Sequence, residues 1–143
     1  MRLLITGGSG FIGTNYVAFA VSQGREVLNL DVSEPLNPDH VPCWKCCDIM
    51  DPVALQRAFA EYRPTHVIHM AGRTECVEHV DVHEAYDANI TGTKNVLEAI
   101  KGTGSVDRAV ITSSQYVCGP EHYPAHDADY GPHTVYGQSK VLT

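Results

Sequence analysis

Long apolar runs are missing from this 143-residue chain. None approaches the ~18 residues that a membrane-crossing helix needs, so no membrane partner is expected. Basic residues are scarce as well: ten Lys and Arg stand against seventeen Asp and Glu, for a net charge of −7. No basic stripe can form to neutralise a run of phosphates, which argues against nucleic acid as a partner. A leader peptide has no room before the first strand-like segment, which begins right after Met1-Arg2; that favours the cytoplasm. Cysteines are few and odd in number: Cys43, Cys46, Cys47, Cys76 and Cys118. Without a secretion signal, that count argues against a disulfide framework. Cys43-x-x-Cys46-Cys47 has half of a zinc pattern, but the second ligand pair at finger-like spacing is lacking. No metal is expected, and Cys46 and Cys47 read instead as small buried thiols in a core strand.

What the chain does have is alternation of short apolar runs with amphipathic stretches. The expected strands are Arg2–Thr6, Glu26–Asp31, Trp44–Ile49, Thr65–Met70 and Asp107–Thr112. The expected helices are Phe11–Gln23, stopped by Gly24, and one begun by Asp51-Pro52 and closed by Pro64. A long third helix spans about His83–Lys101, with Tyr86, Ile90, Thr93, Leu97 and Ile100 on its apolar stripe. A last one begins near His133 or Thr134 and is expected still to run at Thr143. Val32–Pro42, Arg73–Val82 and Ser114–Pro132 read as loops. Strands alternating with helices imply an α/β domain with a parallel sheet covered on both faces. With right-handed crossovers and a glycine-rich first turn, the expected order is the Rossmann-type doubly wound 3-2-1-4-5.

That first turn is Thr6-Gly7-Gly8-Ser9-Gly10-Phe11-Ile12-Gly13. Glycine lets backbone N–H groups approach an anion closely, and the following helix start presents unpaired N–H groups and a positive dipole end. The pattern means a dinucleotide site only with a strand before it, a helix after it and an acid about 20 residues on. Asp31 stands 18 residues past Gly13, at the end of the second strand. Its carboxylate suits the adenosine ribose hydroxyls, and it would repel a 2′-phosphate with no Arg or Lys at 32–34 to compensate. NAD is therefore favoured over NADP. Asp48 could accept from the adenine amino group, or could simply form a turn.

Tyr136 and Lys140 are four residues apart on an expected helix, which puts them on one face. An ammonium beside a phenol favours the phenolate, so Tyr136 is a candidate base for a substrate hydroxyl. Ser114, in the run Thr112-Ser113-Ser114, is placed to donate to a developing oxyanion, or to act as an ordinary cap. His69 reads as a satisfied core histidine. His122, His126 and His133 are too irregularly spaced with Asp127 and Asp129 to make a metal site.

These pieces together resemble the extended short-chain dehydrogenase/reductases, the nucleotide-sugar epimerase and dehydratase family. The matching residues are 6–13, Asp31, Asp48-Ile49, His69-Met70-Ala71-Gly72, and Asn89 in Asn-Ile-Thr-Gly-Thr-Lys-Asn. Ser113-Ser114, Val117-x-Gly119 and Tyr136-x-x-x-Lys140 complete them. The resemblance implies a catalytic set of Ser114, Tyr136 and Lys140. It implies a cofactor site made of Gly7, Gly10, Phe11, Ile12, Gly13, Asp31, Asp48, Ile49, Met70, Ala71, Gly72, Asn89 and Lys140. It implies NAD that takes a hydride from a sugar carbon and returns it. Dehydratases of the family carry Asp-Glu where this chain has Gln115-Tyr116, so the resemblance points to an epimerase. A stand-alone NAD-binding module and a reductase of another small carbonyl compound remain as alternatives.

Members of that family run to about twice this length and bind the nucleotide sugar with their second half. The expectation is thus an NAD-binding domain over 1–143, cut before the substrate domain, with a nucleotide sugar as partner only in a longer form. Self-association through the uncovered sheet edge, as a homodimer or otherwise, is expected as well.

Overall fold

The computed structural model describes residues 1–143 throughout. Its main elements are β1 (Arg2–Thr6), α1 (Phe11–Ser22), β2 (Glu26–Asp31), β3 (Trp44–Cys46), α2 (Pro52–Tyr62) and β4 (His66–His69). They continue with α3 (Val82–Thr103), β5 (Arg108–Ile111) and α4 (Val135–Val141). Every strand pair is parallel, and the sheet order is β3-β2-β1-β4-β5, the expected doubly wound order. The chain divides into two compact units. One holds Met1–Ala71 with Asn95–Thr112; the other holds Gly72–Lys94 with Ser113–Thr143.

In the first unit the sheet is buried on both faces because β1 alternates. Leu3 and Ile5 point to one side and pack with Val17 and Ala20 of α1. Leu4 points to the other and packs with Leu55, Ala58 and Phe59 of α2, and with Val96 and Ala99 of α3. Period-two side chains make that division automatic. α2 starts where the sequence says: the Asp51 carboxylate accepts from the N–H groups of Val53 and Ala54, both at 3.0 Å. Arg63, in the left-handed region with φ 49°, ends it ahead of Pro64. Tyr62 donates toward the carbonyl oxygens of Glu26 at 2.9 Å and Leu3 at 3.2 Å. Burial pushes its phenol up to about 12, so it remains a neutral donor.

Three expectations need correction here. β3 ends at Cys46 rather than Ile49, because Asp48 makes a turn: its side chain accepts from Met50 N–H at 2.9 Å and its carbonyl from Asp51 N–H at 3.0 Å. Cys46 is accordingly exposed, and only Cys47 is a buried thiol, raised by burial above the ordinary thiol range. The 32–42 stretch is not all loop: Asn37 caps a 3₁₀ turn over Pro38–Cys43. α1 packs on the sheet along one line of residues only. Its buried line is Gly13, Val17 and Ala20, while Phe19 and Val21 face solvent.

The second unit brings two further differences. α4 ends at Val141, with Leu142 as its C-cap, instead of continuing to Thr143. Within 114–132, Gln115–Val117 is a 3₁₀ turn capped by Ser114. α3, which contributes to both units, buries Tyr86, Asn89, Thr93, Val96 and Ala99. The expected stripe ran through Ile90, Leu97 and Ile100, which are half-buried. A hydrophobicity count passes over Asn89, yet this amide is 1% exposed.

Candidate active site

The glycine turn follows β1 directly. Gly7 has φ +76°, and a Cβ there would lie 2.5 Å from the Ala71 nitrogen. A Cβ on Gly8 would run into the Asn29 carboxamide oxygen, and one on Gly13 into the Gly7 carbonyl oxygen. Gly10 differs. Its Cβ would meet only the Gly7 oxygen, at 3.4 Å, so no packing inside the protein demands a glycine there. α1 then begins at Phe11 with Gly10 as its N-cap, without a side-chain cap and without an acidic residue in its first turn. Its leading N–H groups and dipole end are left for an anion. Phe11 and Ile12 stand 90% and 70% exposed at this end.

Asp31 lies at the end of β2, in contact with the same turn. Ser9 N–H donates to its Oδ2 at 3.0 Å, and Ser33 N–H to its Oδ1 at 2.9 Å. An ionised carboxylate has about four acceptor sites, so two remain for hydroxyl donors. Asn29, wholly buried beneath the turn, donates to Ser9 Oγ at 3.1 Å. The open place at Gly10, the uncapped helix start and the spare acceptors of Asp31 together fit a dinucleotide's pyrophosphate and ribose. Asp48 is exposed and occupied with its own turn, while the Ile49 side chain is part of the apolar core. Met70 and Ala71 follow β4; both pack at the margins of the two apolar clusters. His69 is buried, with Nδ1 2.6 Å from Thr6 Oγ1, the satisfied core histidine that was expected.

In the second unit, Tyr136 and Lys140 are on one face of α4, and the Lys140 Nζ lies 6.0 Å from the centre of the Tyr136 ring. Burial lowers the Lys140 pKa from its ordinary value. Thr134 caps the helix by accepting from Gly137 N–H at 2.9 Å. Gly137 is required for closeness: a Cβ would strike the Tyr116 carbonyl oxygen. Ser114 Oγ accepts from Tyr116 N–H at 3.2 Å, which keeps its own proton available for donation. Gly72 has no room for a side chain, since a Cβ would sit 2.8 Å from Asn89 Oδ1 and 3.8 Å from Lys140 Nζ.

Asn89 is the hub of this unit. Its Oδ1 accepts from Arg73 N–H at 2.7 Å. Its Nδ2 donates to the Arg73 carbonyl at 3.1 Å and to Ser139 Oγ at 3.0 Å. Ser139, wholly buried, donates in turn to the Tyr136 carbonyl at 2.7 Å. Sequence reasoning named Asn89 but not Ser139. It also missed Tyr86 and Tyr116, whose rings flank Tyr136 at 5.8 and 6.0 Å. The only signal for Tyr86 was its place on the α3 stripe.

The sequence model of a known family matches residues 3–143, nearly the whole chain; its description is NAD dependent epimerase/dehydratase family. The chain belongs to this family. Among the relatives, UDP-glucose 4-epimerase of Bacillus subtilis is 34% identical over 155 residues, covering 99% of this chain and 45% of that protein. A probable dTDP-glucose 4,6-dehydratase of Sinorhizobium fredii is also 34% identical, over 115 residues, covering 71% of this chain and 32% of that one. Among solved structures, the UDP-glucose 4-epimerase of Thermus thermophilus in complex with NAD superposes with a TM-score of 0.75 at 33% identity. That match covers 99% of this chain and 48% of that one. The chain thus spans less than half the length of each of these members of the epimerase/dehydratase family. No helix in it is long and apolar enough to cross a membrane.

Proposed function

We propose that this chain is the NAD-binding and catalytic-residue-bearing part of a nucleotide-sugar epimerase. The observation that carries the reading is the combination, in one family member, of an uncapped glycine turn beside Asp31 with Tyr136 and Lys140 on one face of a helix. NAD, when bound, supplies a hydride acceptor that can give the hydride back. The chain's own residues do the rest. Gly7, Gly10 and Gly13 with the start of α1 hold the pyrophosphate, and Asp31 accepts from the ribose hydroxyls. Tyr136 takes the proton of the sugar hydroxyl, Lys140 stabilises its phenolate, and Ser114 donates to the oxygen that loses the proton.

Gln115-Tyr116 favours epimerisation over dehydration. Elimination of water needs an acid and a base at the carbons that lose it, and neither residue is a carboxylic acid. The first test is cofactor choice. Calorimetry on this chain is expected to show NAD binding more tightly than NADP. Asp31→Ala should weaken NAD roughly tenfold to a hundredfold, the value of hydrogen bonds to a charged acceptor. Equal affinity for both cofactors in the wild type would remove Asp31 from the ribose and overturn this part of the reading.

The same reading extends to assembly. β5 pairs only with β4, and Arg108, Ala109 and Val110 along it are exposed. An open edge of this kind recruits a strand from another molecule. Sedimentation is expected to show self-association of this chain at micromolar concentration, and a clean monomer would count against it.

A further inference from the structure

Tyr136 must present its phenol to a substrate, and a phenol on a surface helix turns freely unless something holds the ring. Tyr86 is placed to do so. It is fully buried, and its ring centre lies 5.8 Å from that of Tyr136 at an interplanar angle of 60°. Tilted aromatic pairs at this separation are attractive beyond their buried area. The helix that carries Tyr86 departs from helical geometry at that very residue, with φ −131° and ψ 31°. Its hydroxyl leaves the helix for the loop after Gly72. It donates to the Glu75 carbonyl at 2.6 Å and accepts from Val77 N–H at 3.1 Å. Arg73 closes the arrangement: its guanidinium lies over the Tyr86 ring at 5.8 Å, donates to the Ala85 carbonyl at 2.9 Å and pairs with Glu75 at 2.9 Å.

One side chain therefore has two duties. Its ring packs against the candidate base, and its oxygen fastens the 73–77 loop. We propose that Tyr86 is the positioning residue of Tyr136 and ties the order of the 73–77 loop to the orientation of the base. The proposal rests on the reading of Tyr136 as that base. Tyr116 also contacts the ring, edge-on to Tyr136 and itself stacked on the His133 ring at 5.9 Å. Being 38% exposed, it is a weaker brace than the buried Tyr86.

Two variants separate the duties. Tyr86→Phe keeps the ring and removes the oxygen; Tyr86→Leu removes the ring too. The chain is labelled with 3-fluorotyrosine, and the Tyr136 fluorine signal is identified by its loss in Tyr136→Phe. Tyr86→Phe is expected to leave the Tyr136 signal in place and to speed amide exchange at Val77 roughly fivefold, the effect of one lost hydrogen bond. Tyr86→Leu is expected to shift and broaden the Tyr136 signal. In the intact protein it should lower kcat roughly tenfold with little change in KM. A Tyr136 signal unmoved by Tyr86→Leu, with only a lower melting temperature, would reduce Tyr86 to a packing residue and overturn the proposal. Loss of turnover in Tyr136→Phe but not in Tyr86→Leu would sink the positioning role alone. Full turnover in Tyr136→Phe would sink the reading of the base, whatever the fluorine signal shows.

Discussion

Replacing Tyr136 with Phe is expected to lower turnover of a nucleotide sugar by the intact protein about 10²–10⁴-fold, the usual weight of a positioned general base. NAD affinity should stay within a few-fold. Phe preserves the ring and hence the contacts with Tyr86 and Tyr116 at 5.8 and 6.0 Å. It removes only the oxygen that can carry a negative charge. The rest of the unit remains: the bond from the Ser139 hydroxyl to the main-chain carbonyl of residue 136 does not depend on the side chain at 136. Lys140 also stays beside the ring, at 6.0 Å. Burial lowers the Lys140 pKa from its ordinary value, and the substitution leaves that burial in place. Steady-state assays with a panel of nucleotide sugars, paired with calorimetry on NAD, separate the two effects. Activity within a few-fold of wild type would exclude Tyr136 as the base. A parallel loss of NAD binding would mean that the residue supports the site rather than the chemistry. Ser114→Ala should cost less, because it removes one hydrogen bond and leaves the proton acceptor intact.

Much of this architecture was legible because it rests on local signals. Asp51-Pro52 and Arg63-Pro64 bracket α2 by capping and by proline's limits, which need no tertiary information. The strand order follows from alternation plus one glycine turn. The misreadings trace to polar side chains whose hydrogen-bond partners, near or far along the chain, a hydrophobicity pattern does not register. Asn89 bonds to Arg73 and Ser139, 16 and 50 residues away, and so it is buried where a hydrophobic stripe assigns it no place. Asp48 ends β3 three residues early because its side chain competes for the backbone, a choice that propensity leaves open. Tyr86 was visible as an apolar stripe residue. Its second duty depends on a hydroxyl whose partners, Glu75 and Val77, belong to a loop without any pattern of its own. The pairing of Tyr136 with Lys140 on one helix face and the contact of Asp31 with the glycine turn were legible by contrast, since each follows from a fixed spacing along the chain.

The glycines of the first turn offer a sharper separation between fold and function, because their replacement meets different neighbours. Gly13→Ala places a methyl group against the Gly7 carbonyl oxygen, with Gly8 Cα at 2.6 Å and the Gly7 carbonyl carbon at 2.9 Å. All three are backbone atoms, so none can swing aside as a side-chain tip would. Overpacking of this kind costs about 1–3 kcal/mol. For a chain of this size that is a fall in melting temperature of roughly 2–12 °C. NAD binding should fail with it, since the turn must open to make room. Gly10→Ala is different. Its new methyl would lie 3.4 Å from the Gly7 oxygen, and its backbone, at φ −75° and ψ 177°, suits alanine. It forfeits a preferred N-cap residue, an effect of about 1 kcal/mol at most. Its melting temperature should therefore stay close to wild type. Yet the methyl fills the place where a phosphate oxygen would approach the start of α1, and NAD affinity is expected to fall more than tenfold. Thermal melts and calorimetry on both variants read the two effects side by side. A Gly10→Ala protein that binds NAD like wild type would mean the pyrophosphate does not rest on this turn. A Gly13→Ala protein that melts like wild type would mean the turn yields more readily than its packing implies.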